Sequence, residues 1–399
     1  NPGRLEGTIP QPRPAVKAPQ LRGLWVDAFG PGFKTPAQVR QLVEDAASLG
    51  VNALFVQAVR RGDCYCANSS LPRTTDPEVP AGFDPLAATI EAAHARGMQV
   101  HAWVIATAVG RTDGPPLPSG HVLLTNGPDA ADTWLTSRHD GTRLAGKDYL
   151  LDPGHPAARQ YLADAAASIA RNYPIDGLQL DRIRYPEDPE SIPGWGYNPT
   201  AITGFQAYTG RTDRPEPRDE QWIQWRRDQV TAMVRTVRDA VKAERPGAVI
   251  SAATITFGSA PATLDDFKRT RTYAEVLQDW PTWMTQGILD LNVLMNYKRQ
   301  HVPSQAKDFT GWAAFAARQA GSGHTAVGTA TYLNTVAGSA AQARITSETP
   351  GISGWVGYSY RAPDLNSFEN PVRARAALRE LSAALTGPGG AFEGAGAGR

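Results

Sequence analysis

The sequence predicts an α/β protein, a closed (β/α)8 TIM barrel with long loops after its third and fourth strands. Two patterns lead there. Short apolar, β-rich runs alternate with helical patterns eight times, as repeated βα units do. Eight such units are the number that closes a barrel. The competing doubly wound sheet lacks support, because no glycine-rich phosphate loop follows the first run.

In chain order, strands are expected at LRGLWVDAF (21–29), ALFVQAV (53–59), QVHAWVI (99–105) and GLQLDRI (177–183). Four more follow at VISAATI (249–255), LNVLMNY (291–297), HTAVGTATY (324–332) and GWVGYSY (354–360). Helices are expected between them, among others over 36–49, 85–96, 156–172, 220–244 and 371–385. Several open on proline, whose missing N–H costs nothing in a first turn. Gly50 and Gly97 stand where helix ends take a left-handed residue. Long insertions, about 107–155 and 187–219, follow strands three and four and so belong to the C-terminal face. Residues 1–20 are proline-rich and 386–399 read TGPGGAFEGAGAGR. The barrel is therefore expected over 21–385, between an N-terminal extension and a flexible Gly-rich tail.

Composition excludes several classes. A chain of 399 residues, 41% hydrophobic and 20% charged, is that of a soluble globular protein able to bury a large core unaided. Forty basic residues against 39 acidic give +1, without the positive field a nucleic-acid binder needs. No apolar stretch of about 18 residues is present, so no membrane span is expected. The chain begins at Asn1 rather than Met, and a removed leader is the expectation, with a secreted, periplasmic or cell-envelope location. Cys64 and Cys66 are expected to be unpaired loop residues, because a bridge across one residue strains the usual Cα separation.

Alternate strand residues face a barrel's axis. In the fourth strand Leu178 and Leu180 suit the helix side, which turns Gln179 and Asp181 inward, with Asp181 at the C-terminal rim. The same parity turns Trp25 and Asp27 inward, and Asp63 follows the second strand beside Arg60 and Arg61. Ordering a neighbouring loop is the structural alternative for Asp27 and for Asp63. Trp103, Asn296, Tyr297, Lys298, Tyr332, Tyr358, Tyr360 and Arg361 crowd the other strand ends. Such a polar floor with aromatic walls suits sugars, whose C–H faces stack on rings while carboxylates, amides and arginine bond the hydroxyls. Asp176 and Asp290 precede their strands and belong to the opposite, stabilising face. His94 and His101 are expected to be packed, and His121, His139 and His155 show no ligand spacing. Neither a zinc signature nor a G-x-S-x-G elbow occurs, so no metal or cofactor is implied.

LFVQAVRRGDCY (54–65), FDPLAATIEAAHARGMQVHAWV (83–104), YPIDGLQLDRIRYP (173–186), QDWPTWMTQGILD (278–290) and MNYKR (295–299) give the chain a family likeness. From about residue 21 to 360 it resembles the bacterial glycoside-hydrolase-like family ten. That resemblance implies a (β/α)8 barrel related to the α-amylase clan, acting on cell-wall or extracellular amino-sugar glycans. DGLQLD is similar to the clan's strand bearing the nucleophilic aspartate, which corresponds here to Asp181. Many relatives carry a second acid directly after it, where this chain has Arg182. If that acid donates the proton in relatives, this chain needs another donor or does not cleave; if it orders the rim, Arg182 is harmless.

The expectation is a glycoside hydrolase for a polysaccharide, peptidoglycan-type amino-sugar strands foremost, using two carboxylates. Asp181 is central, as nucleophile or acid/base; Asp27 and Asp63 lead for the second carboxylate and Glu187 is third. Arg60, Gln179, Asn296, Tyr297, Lys298 and Tyr360 are expected to bind substrate, with Trp103 and Trp195 as stacking platforms. A non-catalytic glycan-binding barrel, and a lyase or transglycosylase on the same scaffold, are the alternatives. The pattern defines no oligomeric state.

Overall fold

The computed structural model describes residues 18–395. The expectations for residues 1–17 and 396–399 lie outside the described residues. Among the described residues eleven strands occur in chain order: β1 Leu21–Val26, β2 Ala53–Val59, β3 Gln99–Ile105, β4 Ala108–Arg111, β5 Leu144–Ala145, β6 Asp148–Leu150, β7 Gly177–Asp181, β8 Val249–Ile255, β9 Leu291–Met295, β10 His324–Ala330 and β11 Gly354–Tyr358. Eight close a barrel in the order β1-β11-β10-β9-β8-β7-β3-β2. Every neighbouring pair in it is parallel. The other three form a small antiparallel sheet, β4-β6-β5, inside the segment that joins β3 to the helix Pro156–Asn172.

Helices follow the barrel strands, and their starts are written in the sequence. Thr35, Asp84 and Asp219 accept N–H bonds from Gln38, Ala87 and Trp222, capping helices Pro36–Ser48, Pro85–His94 and Glu220–Glu244. The first buries Val39, Leu42, Val43 and Ala46, a stripe at three- and four-residue spacing that seats it on the sheet. Leu24, Val26, Leu54, Val56, Leu178 and Leu180 face such helices. Trp25, Phe55, Trp103, Ala253, Val293, Ala326 and Val356 fill the lumen. Side-chain parity thus divides the strands as expected. Trp25 reaches across the lumen because Gly328 has no side chain; a Cβ there would lie 2.9 Å from the indole.

Five strands stop two or three residues earlier than the apolar patterning suggests. The apolar runs continue, but their last residues leave the ladder to shape the rim. Arg182 enters the left-handed region (φ 54°) directly after β7, and Thr331–Leu333 form a 3-10 turn after β10. At the opposite end, Asp176 accepts from the Val100 N–H (2.8 Å) and from His94 Nε2 (2.7 Å). Asp290 accepts from the Ile250 N–H (2.9 Å) and pairs with Lys242 at 2.8 Å. Both acids tie neighbouring strands at the stabilising face.

Two expectations are corrected. Cys64 and Cys66 form a disulfide with Cα atoms 5.0 Å apart. That separation falls within the ordinary range of about 4.4–6.8 Å, so one intervening residue is enough to span it. The C-terminal Gly-rich segment is packed as far as it is described. Phe392 is fully buried, edge-on to Trp355 at a 5.6 Å centroid distance, and its N–H bonds the Leu385 carbonyl. Among the glycines stands one large apolar side chain, which packs the segment against the barrel.

Candidate active site

A cavity of about 410 Å³ opens at the C-terminal ends of the strands, and Asp181 lines it at the end of β7. Both carboxylate oxygens are held. Trp103 Nε1–H donates to Oδ2 (3.0 Å) and the Arg182 backbone N–H donates to Oδ1 (2.7 Å). Burial pushes the Asp181 carboxyl above the ordinary carboxylate range, against the opposing pull of Arg182, these two donors and Arg184. Such a group holds its proton to higher pH than a solvated aspartate, as proton-donating carboxyls do.

The walls are aromatic. Trp25 meets Tyr297 and Tyr358 at centroid distances of 6.3 and 5.8 Å, and Trp103 meets Tyr358 at 6.1 Å. Tyr332 packs edge-on against Tyr297. The Tyr297 hydroxyl titrates well above its usual value because it is buried, beside Tyr358 and Asp181. Beneath this layer Gln179 accepts from Trp25 Nε1 at 2.7 Å, so it supports the floor rather than lining the cavity. Gln57 does line it, accepting from the Ala28 N–H (2.7 Å) while its amide nitrogen has no partner.

Cations outnumber acids. Arg60, Arg61, Arg182, Arg184 and Lys298 line the cavity, against Asp148 and Asp181. Lys298 donates to the Thr256 carbonyl (2.6 Å), and burial lowers its pKa. Burial also lowers Arg184, to about 10, with Arg182 adding repulsion. Arg61 is lowered by burial and then by Arg60. Among the described residues, neither the Arg61 nor the Arg184 guanidinium has an ion-pair partner; they lie over the rings of Phe29 and Phe257 instead. A groove of about 320 Å³ continues past Arg182 and Arg184 towards Leu144, Pro186 and Trp195.

The expected site residues therefore separate. Asp181, Arg60, Trp103, Tyr297 and Lys298 come together in one cavity. Asp27 is buried outside it, bonded by Arg361 at 3.2 and 3.3 Å and by the Phe29 N–H. Asp63 lines a neighbouring crevice, and Glu187 lies in the groove paired with Arg271 at 3.2 Å. Trp195 is 2% exposed and donates to the Glu187 carbonyl, so it walls the groove and offers no open ring face in the cavity. Asn296 is buried outside the cavity, its Nδ2–H donating to the Phe309 carbonyl while its Oδ1 has no partner. Tyr360 points away and donates to Asp45, which Arg375 also holds.

Asp148, Arg61, Arg182 and Arg184 were missed as site residues. Asp148 belongs to β6, in the inserted sheet, where barrel parity says nothing about direction. The only signal for it was the length of the insertion. Arg182 and Arg184 had a plainer signal, since they flank the strand that carries Asp181.

A barrel of this closure, with a sugar-sized aromatic cavity over an inward carboxyl, stands among the glycoside hydrolases. Residues 20–332 match the family described as Glycosyl hydrolase-like 10, and the chain belongs to that family. Glycosyl hydrolase DigH of Escherichia coli K12 is 25% identical over 315 residues, covering 71% of this chain and 67% of its own length. Glycosyl hydrolase YngK of Bacillus subtilis is 24% identical over 303 residues, covering 68% of this chain and 52% of its own. Among solved structures, the glycoside hydrolase domain of PgaB (BpsB) from Bordetella bronchiseptica shares the fold. Its TM-score is 0.63 at 18% identity, covering 91% of this chain and 99% of that domain.

Proposed function

We propose that this protein hydrolyses glycosidic bonds in an anionic amino-sugar polysaccharide of the bacterial cell wall, peptidoglycan-type strands, with Asp181 as the central carboxyl. The observation that carries this reading is the cavity's composition: a buried carboxyl, aromatic walls and five cationic side chains against two acids. Stacking on Trp and Tyr holds pyranose rings, and unpaired guanidinium groups favour substrates that bring carboxylates of their own. Peptide-free strands, with an acid on every second sugar, meet both requirements.

In this reading Asp181 donates the proton to the leaving oxygen. Burial holds its carboxyl above the ordinary carboxylate range, which favours the protonated form, and its bonds from Trp103 and Arg182 stabilise the carboxylate left after donation. The Cys64–Cys66 disulfide supports a location in an oxidising compartment, outside the cytoplasm. None of the helices among the described residues is long and apolar enough to cross a membrane.

The test incubates this protein and Asp181→Asn with peptidoglycan, peptide-free strands and chitin-type oligomers, with products read by mass spectrometry. Hydrolysed ends from the parent, preferentially on the anionic strands, with none from the variant are expected. Binding without products would identify a glycan-binding barrel, and unsaturated, anhydro or transferred products a lyase or transglycosylase.

A further inference from the structure

We propose that Asp148, carried on the sheet inserted after β3, is the second catalytic carboxylate of this site, facing the anomeric carbon while Asp181 serves the glycosidic oxygen. The proposal rests on the hydrolase reading above and completes its chemistry.

Three observations carry it. Among the described residues, Asp148 and Asp181 are the two carboxylates that line the cavity. Asp148 is held from two sides without being enclosed: Oδ1 lies 3.4 Å from Arg111 and Oδ2 3.6 Å from Arg182, and its side chain stays 19% exposed. Those separations exceed the roughly 2.9 Å of a close N–H···O bond, which leaves lone pairs for a substrate or a water. Arg182 spans both acids, its backbone N–H on Asp181 and its guanidinium towards Asp148.

The other acids at this end of the barrel are otherwise engaged. Asp27 is closed off by Arg361, and Glu187 is paired with Arg271 in the outer groove. Asp63 faces a crevice of about 30 Å³, too small for a sugar ring.

In the reaction, the Asp181 carboxyl gives its proton to the glycosidic oxygen as the C1–O bond breaks, and the bonding pair leaves with that oxygen. The Asp148 carboxylate balances the positive charge developing at C1. Water then adds its oxygen to C1 and yields a proton to Asp148, and exchange with solvent returns both acids to their starting states.

Asp148→Asn and Asp148→Ala decide the matter when assayed beside the parent on peptide-free strands, with and without sodium azide. Both variants are expected to lose about 100-fold or more in kcat with KM within a few-fold of the parent. Azide, a small anion able to attack C1 in place of activated water, should restore turnover and leave a glycosyl azide product. Variants that turn over like the parent, or a loss that azide leaves unrestored in both, would overturn the assignment. A parent without turnover on any glycan sinks the hydrolase reading, and this assignment with it; an active parent with active Asp148 variants sinks the assignment alone.

Discussion

Trp103→Phe tests the assigned role of Asp181 without touching its carboxyl. The substitution keeps an aromatic ring in the lumen and deletes the indole N–H that donates to Oδ2 at 3.0 Å. A hydrogen bond to a charged group contributes about 1.5–3 kcal/mol. It favours the ionised form, so its loss raises a pKa that burial already holds high. At 1.36 kcal/mol per unit, the expected rise is about 1–2 units. With Asp181 as proton donor, activity falls on the alkaline side as Asp181 loses its proton. The variant's alkaline limb should therefore move to higher pH by that amount. The assay is kcat/KM on peptide-free strands from about pH 4 to about pH 9, which reports the free enzyme's essential groups. An alkaline limb that stays in place or moves down would refute the donor role.

Asp181→Asn should raise the melting temperature at neutral pH while abolishing turnover. The folded carboxyl binds its proton more tightly than the unfolded one, so stability falls as pH rises through that window, and the amide escapes the loss. Below the unfolded carboxyl's pKa of about 3.9 the difference should vanish, which thermal unfolding at two pH values checks. Arg184→Gln should raise KM for peptide-free strands about tenfold, the value of about 1.4 kcal/mol. Neutral chitin-type oligomers should be little affected, so an equal loss on both substrates would argue against anion recognition. Phe392→Ala should cost about 3–5 kcal/mol, as for a buried aromatic, seen as a lower urea midpoint; an unchanged midpoint would mean that the segment does not hold the barrel.

The barrel was legible because period-two alternation fixes both strand identity and side-chain direction. Leu178 and Leu180 against Gln179 and Asp181 is enough to orient β7, and closure then sends the inward pair into one lumen. Strand ends were less legible, since Tyr297, Tyr332 and Tyr360 prolong the apolar pattern beyond the last ladder bond. Tyr360 shows the consequence. As part of a strand it would continue a rim, but beyond the end of β11 it turns outward to Asp45 and Arg375. Asp27 lies just past the end of β1 and outside the cavity, its carboxylate paired with Arg361, 334 residues away in sequence, a contact no local pattern announces. Asp148 was hidden in an insertion whose folding depends on pairing with β4 and β5. No local pattern in the sequence announces which face of so short a sheet meets the barrel.

The charge of the cavity has its own logic. The whole chain carries +1, yet the cavity holds five cations against two acids, so the charge is segregated rather than abundant. Elsewhere several arginines are bound to acids: Arg138 contacts Asp140, Asp188 and Glu190, and Arg373 contacts Asp364 and Glu380. Arg61 and Arg184 are instead half-buried beside other arginines, and desolvation and that repulsion lower both pKa values. Holding like charges together in this way destabilises the empty site. It cannot assist the chemical step directly, because the transition state of glycoside hydrolysis is itself cation-like. On the proposed reading the two functions therefore occupy different places: carboxylates at the anomeric carbon, and cations along the sugars' substituents and the adjoining strand. Arg182 and Arg184 line both the cavity and the groove beyond it, so the cationic surface follows the direction in which a polymer would extend. Asp148 and Asp181 offset part of this repulsion, and on the proposed reading an anionic glycan relieves more of it, so that charge on the glycan strengthens binding.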